Sequence, residues 1–424
     1  MAVLLDRVKE IAKEKYKGIK RCVLAYSGGL DTSIIAYIFQ DIGIEVITLT
    51  LEFGQNEDLR AIEEGAKRIN VKKHYGLEAT EEFVRDYIYP AVKANCLYEG
   101  VYPEVSALGR PLIAKYLVEI AEKEGAQAIA HGSTGKGNDQ IRLDNGVWAL
   151  KKDLVVIAPI RDWELFRDEE IEYAAERKLP MNVTKKKPYS IDQNIWGRSI
   201  ECGVLEHPEV EPPEDAFEWT VNPADAPDKP TYVEIEFEKG IPAEMRVMDE
   251  KKKAREVARG VKLIERLNKI AGENGVGRSD HVEDRIIGLK NREVYEYPAA
   301  NVLIRAHRDL ETFVLTKREL DAKEYIDRAW GDLVYGGGWY SPLREELDAF
   351  INKSQEVVSG KVMMKLYKGS ARVIGRASRY ALYDLYLSSY DRTKSIWSQR
   401  EARAFAKIYG LQDVIAYMIR KRQG

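Results

Sequence analysis

The sequence predicts an α/β chain: a first domain on a parallel, Rossmann-like sheet, a second α+β domain, and a helical arm at the C-terminus. Three observations predict it. Short β-rich runs alternate with helical patterns as far as about residue 158, glycine-rich strings follow two of those runs, and beyond about residue 185 prolines cluster and the apolar spacing changes. The boundaries expected from these shifts divide the chain into 1–185, 186–393 and 394–424.

Residues 1–20 set Leu4, Leu5, Val8, Ile11 and Ala12 at helical spacing among Lys and Glu, which is an amphipathic helix and not a signal peptide. Cys22–Tyr26 is the first strand, and Thr32–Phe39 the helix after it. Glu45–Leu51 follows as a strand, then a charged helix near Asp58–Ile69, the strand Lys73–Leu77, and helical patterns as far as Glu124. Ala126–His131 and Leu154–Ala158 complete the set. Strands separated by helices of this length imply right-handed crossovers and a parallel sheet, with ligands expected beyond the carboxyl ends of the strands. Pro208, Pro212, Pro213, Pro223, Pro227 and Pro230 then punctuate an acidic stretch. After it, Tyr232–Phe237 alternates like a half-buried antiparallel strand. Trp397, Phe405, Ile408, Leu411, Val414, Ile415 and Met418 recur at helical spacing, an amphipathic arm for packing or oligomerisation.

Composition narrows the function. The 424 residues are 45% hydrophobic and 32% charged with a formal net charge of −3, so no global field recruits nucleic acid or anionic membrane. No apolar run reaches the ~18 residues a membrane helix needs. Cys22, Cys96 and Cys202 form no Cys-x-x-Cys pair, which argues against a disulfide framework, a zinc site or a thiol relay and fits a reducing cytoplasm. His74, His131, His207, His281 and His307 are scattered, and each reads as structural.

Ser27-Gly28-Gly29-Leu30-Asp31-Thr32-Ser33, directly after the first strand, has the chemistry of a phosphate cradle. Adjacent glycines let backbone N–H groups converge on an anion, the following helix adds the partial positive charge of its N-terminus, and Ser27, Thr32 and Ser33 add hydroxyls. Neither the Walker A spacing nor the dinucleotide fingerprint is present. The string resembles the Ser-Gly-Gly-x-Asp-Ser/Thr-Ser loop of the ATP pyrophosphatase (PP-loop) group, which implies cleavage of ATP to AMP and pyrophosphate.

A second string, His131 to Arg142, crowds three glycines, two hydroxyls, Asn138, Asp139 and two cations after another strand. Glycine N–H groups can receive a carboxylate or phosphate, Asp139 can hold an ammonium group, and Arg142 can grip a carboxylate bidentately, an inventory that suits an amino acid. The polar strings Pro188–Glu201 and Gly275–Tyr295 are weaker when read from their residues alone, since polar residues interleaved with glycine usually form loops. Two look-alikes are set aside. His307-Arg308-Asp309-Leu310 lacks the companions of a kinase catalytic loop, and Gly336-Gly337-Gly338, between Tyr335 and Trp339, reads as a turn against aromatic packing.

Taken together and in order, these strings resemble the argininosuccinate synthase family from about residue 20 to about residue 380. The resemblance implies adenylylation of the citrulline ureido oxygen by ATP with loss of pyrophosphate, then displacement of AMP by the α-amine of aspartate. It implies that Ala25, Tyr26, Ser27, Gly28, Gly29, Leu30, Asp31, Thr32, Ser33 and Gly132 hold ATP. It places aspartate on Thr134, Asn138 and Asp139, and citrulline on Tyr102, Asn138, Arg142, Ser190, Ser199, Glu283 and Tyr295. Asp139 is placed to orient the aspartate amine or, as a hypothesis, to take up its proton. Mg²⁺ on the phosphates is expected, with Asp31 as its candidate ligand, directly or through water. A homotetramer is implied as well.

Departures matter too. The family's Tyr-x-x-Gly-Thr-Ser-Leu-Ala-Arg-Pro runs here from Tyr102 to Pro111 with Ala107 at the usual citrulline-binding serine, which leaves Ser106 as the substitute hydroxyl. Leu51 stands beside the adenine where small residues are common, and is expected to wall the base by contact alone. Two alternatives use the same first loop. Another PP-loop enzyme such as a tRNA thiolase would want paired cysteines and a basic face, and a non-catalytic ATP-binding regulator would bind nucleotide without releasing pyrophosphate.

Overall fold

The computed structural model describes residues 2–163, 167–176, 189–249, 253–389 and 397–423. These pack as two units, Met1–Tyr380 and Ala381–Gly424. The expected boundaries at 185/186 and 393/394, and Pro188 with them, lie outside the described residues.

Five strands, β1 (Arg21–Ala25), β2 (Glu45–Glu52), β3 (Lys73–Glu78), β4 (Ala128–Ala130) and β5 (Val155–Ile157), make one sheet in the order β3-β2-β1-β4-β5. Every pairing in it is parallel. The expected βαβ pattern is thus realised; the inner strands β1, β2 and β4 are buried because both faces are covered, while the edge strands β3 and β5 keep exposed positions. Cys22, Leu24, Val46, Ala128 and Ile157 pack on one side with Val8, with Ile34, Ile35 and Phe39 of the Leu30–Asp41 helix, and with Trp163. Val23, Ile47, Leu49 and Ile129 pack on the other with Leu117 and Ala121 of the Val105–Glu124 helix and Val147 of the Asp139–Leu150 helix.

The order carries a functional consequence. The chain leaves β1 towards β2 and β3 on one side, then returns to place β4 and β5 on the other. The carboxyl ends of β1 and β4 are therefore neighbours at the point where the winding reverses, the crevice in which open α/β sheets bind ligands. Both glycine-rich strings open there.

The rest of this unit is antiparallel. β6 (Ser190–Asn194), β7 (Gly197–Glu201), β11 (Arg278–Asp284) and β12 (Lys290–Glu296) form a sheet ordered β11-β12-β7-β6. β8 (Thr231–Glu238), β9 (Ile241–Met248), β10 (Ala254–Ala258), β13 (Gly360–Tyr367) and β14 (Ser370–Ala377) form another, ordered β10-β9-β8-β13-β14. β8 covers the run read as a half-buried strand, with Val233, Ile235 and Phe237 inward. His307 of the kinase look-alike is buried in the Pro298–Val314 helix, on hydrogen bonds with Asn95 and Gln355.

Among its described residues the second unit carries a one-turn helix, Leu385–Ser388, and two longer ones, Glu401–Tyr409 and Leu411–Gln423, the latter two where the apolar spacing predicts helix. Among the described residues no helix is long and apolar enough to cross a membrane.

Candidate active site

The first loop is shaped by its own hydroxyls. Gly28 takes φ +74°, a left-handed conformation that a side chain disfavours, and a Cβ there would meet Ile62 Cγ1 at 3.1 Å. The Gly29 N–H donates to Ser27 Oγ at 3.3 Å, while Ser33 Oγ donates to the Gly29 carbonyl at 2.8 Å. Ser27 Oγ and Thr32 Oγ1 lie 3.2 Å apart, and Tyr26 OH lies 3.1 Å from Ser33 Oγ. Leu30 and Asp31 open the helix behind them, and Ala25 closes β1 in front. Gly132 sits across from this loop: a Cβ on it would stand 3.6 Å from Thr32 Cγ2. Leu51 is buried near the end of β2, in the same apolar cluster as Phe53.

The second loop ends on charges that the fold ties together. Asp139, first residue of its helix, accepts from Arg110 Nη2 at 2.7 Å and Arg142 Nη1 at 3.1 Å. Arg110 also donates to Asp192 on β6, so one guanidinium links the parallel-sheet half to the four-stranded sheet. Burial pushes the Asp139 carboxyl up, but Arg110 and Arg142 outweigh it and hold it at about 2. Asp139 is thus a carboxylate throughout the physiological range. Arg142 is almost fully buried. Its Nε donates to the Tyr335 carbonyl at 3.0 Å, its guanidinium lies 4.8 Å from the Tyr335 ring centre, and its Nη2 has no hydrogen-bond partner. A buried guanidinium N–H left open costs free energy unless something arrives to accept from it. Thr134 is exposed on the loop, and Asn138 is buried.

The four-stranded sheet supplies the third wall. Its segments look like loops in sequence because alternation puts polar residues on one face, with only Ile200 and Val294 facing the small apolar cluster of Leu205 and Ala216 behind. Cross-strand pairing puts Asp192 opposite Ser199, Ser199 opposite Tyr295, and Ser190 opposite Glu201, and paired residues share a face. On that face Tyr295 OH donates to Glu283 Oε2 at 2.5 Å, and Tyr335 OH donates to Glu283 Oε1 at 2.8 Å. Tyr335 OH in turn accepts from Asn138 Nδ2 at 2.7 Å. Tyr102 stacks on Tyr295 at 4.5 Å, and Tyr98 on Tyr335 at 3.5 Å. These links bring Tyr102, Asn138, Glu283 and Tyr295, named from the sequence, into one cluster with Arg142. Ser190 is exposed at the start of β6.

The departure at Ala107 has a local answer. Ala107 is 1% exposed and belongs to the core, whereas the Ser106 hydroxyl donates to Asp192 Oδ2 at 2.5 Å and its N–H donates to the Tyr102 hydroxyl at 2.8 Å. The hydroxyl therefore faces the charged cluster. Glu104, just before this helix, is fully buried at φ +58° beside the Cys96 thiol, and burial pushes its pKa well up while the thiol works against it. Glu57 is raised to about 7, chiefly by burial, with the Glu52 and Asp192 carboxylates adding to it.

Arg110, Asp192 and Tyr335 are the residues that sequence reasoning passed over. The first two lie inside the strings already singled out, but nothing in either string shows that they meet. Tyr335 flanks the triple glycine, and the turn is close-packed as expected: Gly337 takes φ +83°, and a Cβ there would lie 3.1 Å from Arg142 Cα. Trp339 stacks on Tyr87 at 4.5 Å. The packing that the turn serves is thus against the site itself. Among the described residues, no three His, Cys, Asp or Glu side chains converge to hold a metal ion.

Residues 21–180 match a family model described as the arginosuccinate synthase N-terminal HUP domain, and residues 189–416 one described as the arginosuccinate synthase C-terminal domain. An argininosuccinate synthase of Pyrococcus furiosus is 51% identical over 398 residues, covering 94% of each chain. One of Dictyoglomus turgidum is 50% identical over 397 residues, 93% of this chain and 97% of the relative. One of Methanocaldococcus jannaschii is 50% identical over 403 residues, 95% and 99% of the two chains.

Proposed function

The chain belongs to the argininosuccinate synthase family, and from that premise we propose that the crevice at the ends of β1 and β4 condenses citrulline with aspartate at the expense of ATP. ATP lies on Ser27–Ser33 and Gly132, with the glycine N–H groups and the helix N-terminus on its phosphates. Mg²⁺ comes with the nucleotide. Asp31, in the first turn of the helix behind the loop, would supply one carboxylate and leave the other positions to phosphate and water, which suits a cation reluctant to shed its waters.

Citrulline lies against Tyr102, Ser106, Asn138, Arg142, Ser190, Ser199, Glu283 and Tyr295, and aspartate against Thr134, Asn138 and Asp139. The observation that carries this reading is the open Nη2 of buried Arg142, a preset donor for an amino-acid carboxylate. Glu283 accepts hydrogen bonds from two tyrosines and has the charge to receive an α-ammonium group. The ureido oxygen attacks the α-phosphorus of ATP and pyrophosphate departs. The aspartate α-amine then attacks the ureido carbon, AMP leaves, and argininosuccinate forms. Positioning and phosphate neutralisation supply most of the acceleration. Because its two arginines depress its pKa, Asp139 serves better to orient the amine than to take its proton. The same reading extends to a cytoplasmic homotetramer.

The test is pyrophosphate release from Mg–ATP with and without each amino acid, with argininosuccinate assayed in the same tubes. Pyrophosphate should require citrulline, and argininosuccinate should require both amino acids. Arg142→Lys keeps the charge but loses the fork, and should raise KM for citrulline about tenfold or more with KM for ATP little changed. Nucleotide binding with no citrulline-dependent pyrophosphate would refute the assignment.

A further inference from the structure

The tip of the β11–β12 hairpin reaches the second loop through two consecutive residues, Arg285 and Ile286, and Asp284 before them is held from elsewhere. The Asp284 carbonyl accepts from the Tyr98 hydroxyl at 2.8 Å. Arg285 Nη1 donates to the Lys136 carbonyl at 3.2 Å, while its Nη2 donates to Glu201 at 2.5 Å and to Glu293 at 2.7 Å. The Ile286 N–H donates to Asn138 Oδ1 at 3.0 Å. The turn beyond is closed by Arg285 N–H to the Leu289 carbonyl at 2.8 Å, with Gly288 at φ +81°.

The consequence falls on Asn138. Its Oδ1 accepts from Ile286 and its Nδ2 donates to Tyr335, so the amide cannot flip without breaking both bonds. One N–H and one acceptor lone pair remain free, and their directions are set by the two protein partners. Asn138 is the residue shared by the two amino-acid subsites of the proposed reading, so this orientation bears on both substrates at once. Ile286 can hold Oδ1 only while the hairpin tip stays docked. The docking contact with a charged side chain is Arg285, which spans from a backbone carbonyl of the loop to two carboxyl groups of the sheet. A lysine in its place has no fork to reach loop and sheet together.

We propose that Arg285 is a positioning residue for the ligation: it pins the hairpin tip to Lys136 and thereby fixes, through Ile286, the amide of Asn138 against citrulline and aspartate. The inference rests on the assignment of Asn138 to those subsites. Nothing ties Arg285 to the first loop, so ATP binding is outside its reach.

The experiment is a double-mutant cycle in the full-length protein with Arg285→Met and Asn138→Ala, reading KM for each of the three substrates, kcat, and the thermal midpoint. Arg285→Met should raise KM for citrulline and aspartate about tenfold, a loss of ~1.4 kcal/mol, and leave KM for ATP within about twofold. In the Asn138→Ala background the same substitution should do almost nothing, because the group through which it acts is gone. Should Arg285→Met fail to fold, Arg285→Lys takes its place in the cycle, with a smaller effect of the same pattern. An equal rise in all three KM values, unchanged amino-acid KM values, or effects that add across the cycle would each overturn the proposal. If Asn138→Ala alone leaves both amino-acid KM values unchanged, the site assignment fails first. If it raises them and Arg285→Met does not, the Arg285 inference fails by itself.

Discussion

Glu293 has the most consequential environment of any carboxyl outside the named subsites. It is a β12 residue, 6% exposed, and its Oε1 accepts from Arg285 Nη2 and Asn291 Nδ2, each at 2.7 Å. Burial, with Glu201 and Glu283 nearby, raises its pKa to about 8 against the pull of Arg285. A carboxyl whose folded pKa exceeds its unfolded value stabilises the fold most below the unfolded value, and that contribution fades as pH rises through the folded one. Wild-type stability should therefore fall between about pH 4.5 and about pH 8 through this group. Glu293→Gln keeps the accepting oxygen and cannot ionise, so its urea midpoint should fall less over the same window and exceed the wild type at pH 9. Parallel curves for the two proteins would show that Glu293 does not titrate there. The residue scale is also where sequence reading stops soonest. Arg110, Asp192 and Asp139 lie on three different elements, and only the folded chain shows that one guanidinium holds both carboxylates. By contrast, Ser27 to Ser33 could be read in advance because its chemistry is contiguous.

At the level of elements, the loop proposed to hold the phosphates depends on one backbone conformation. Gly28 at φ +74° lies where an L residue pays roughly 1–2 kcal/mol, and an added methyl meets Ile62 Cγ1 at 3.1 Å, which forces a further shift. Gly28→Ala should lower the thermal midpoint by a few degrees and raise KM for ATP about tenfold, with the amino-acid KM values nearly unchanged. Adding Ile62→Ala should recover only the steric part, since the backbone strain remains. A normal KM for ATP in Gly28→Ala would mean that the loop does not carry the phosphates. The parallel sheet was legible because its inner strands are apolar runs between helices of crossover length, so period and length say the same thing. The four-stranded sheet was not. β6, β7, β11 and β12 turn a polar face to the crevice and cover little core behind, so their sequences carry the composition of loops. The resemblance to a family, and not periodicity, marked Ser199, Glu283 and Tyr295.

For the molecule as a whole, the open question is what completes the C-terminal unit. Within Ala381–Gly424 the helices Glu401–Tyr409 and Leu411–Gln423 leave Phe405, Ile408, Leu411, Val414, Ile415 and Met418 exposed, and the ring contact of Phe405 with Tyr409 at 5.2 Å buries neither. A unit this short cannot build a core of its own, and an apolar surface of that kind on a native protein marks an association face. The residues proposed to do chemistry all belong to Met1–Tyr380, whose three sheets and their helices hold its apolar core. Truncation after Tyr380 should therefore separate assembly from folding. Light scattering should report a tetramer for the full chain and a smaller species for the truncated one. The truncated chain should keep a cooperative thermal transition and citrulline-dependent pyrophosphate release, because Ser27–Ser33, Asn138, Arg142 and Glu283 are all retained. A truncated chain that still forms tetramers would assign the association face to the larger unit. One that assembles no further and also loses pyrophosphate release, while its thermal midpoint holds, would mean that the crevice depends on contacts made only in the assembled protein.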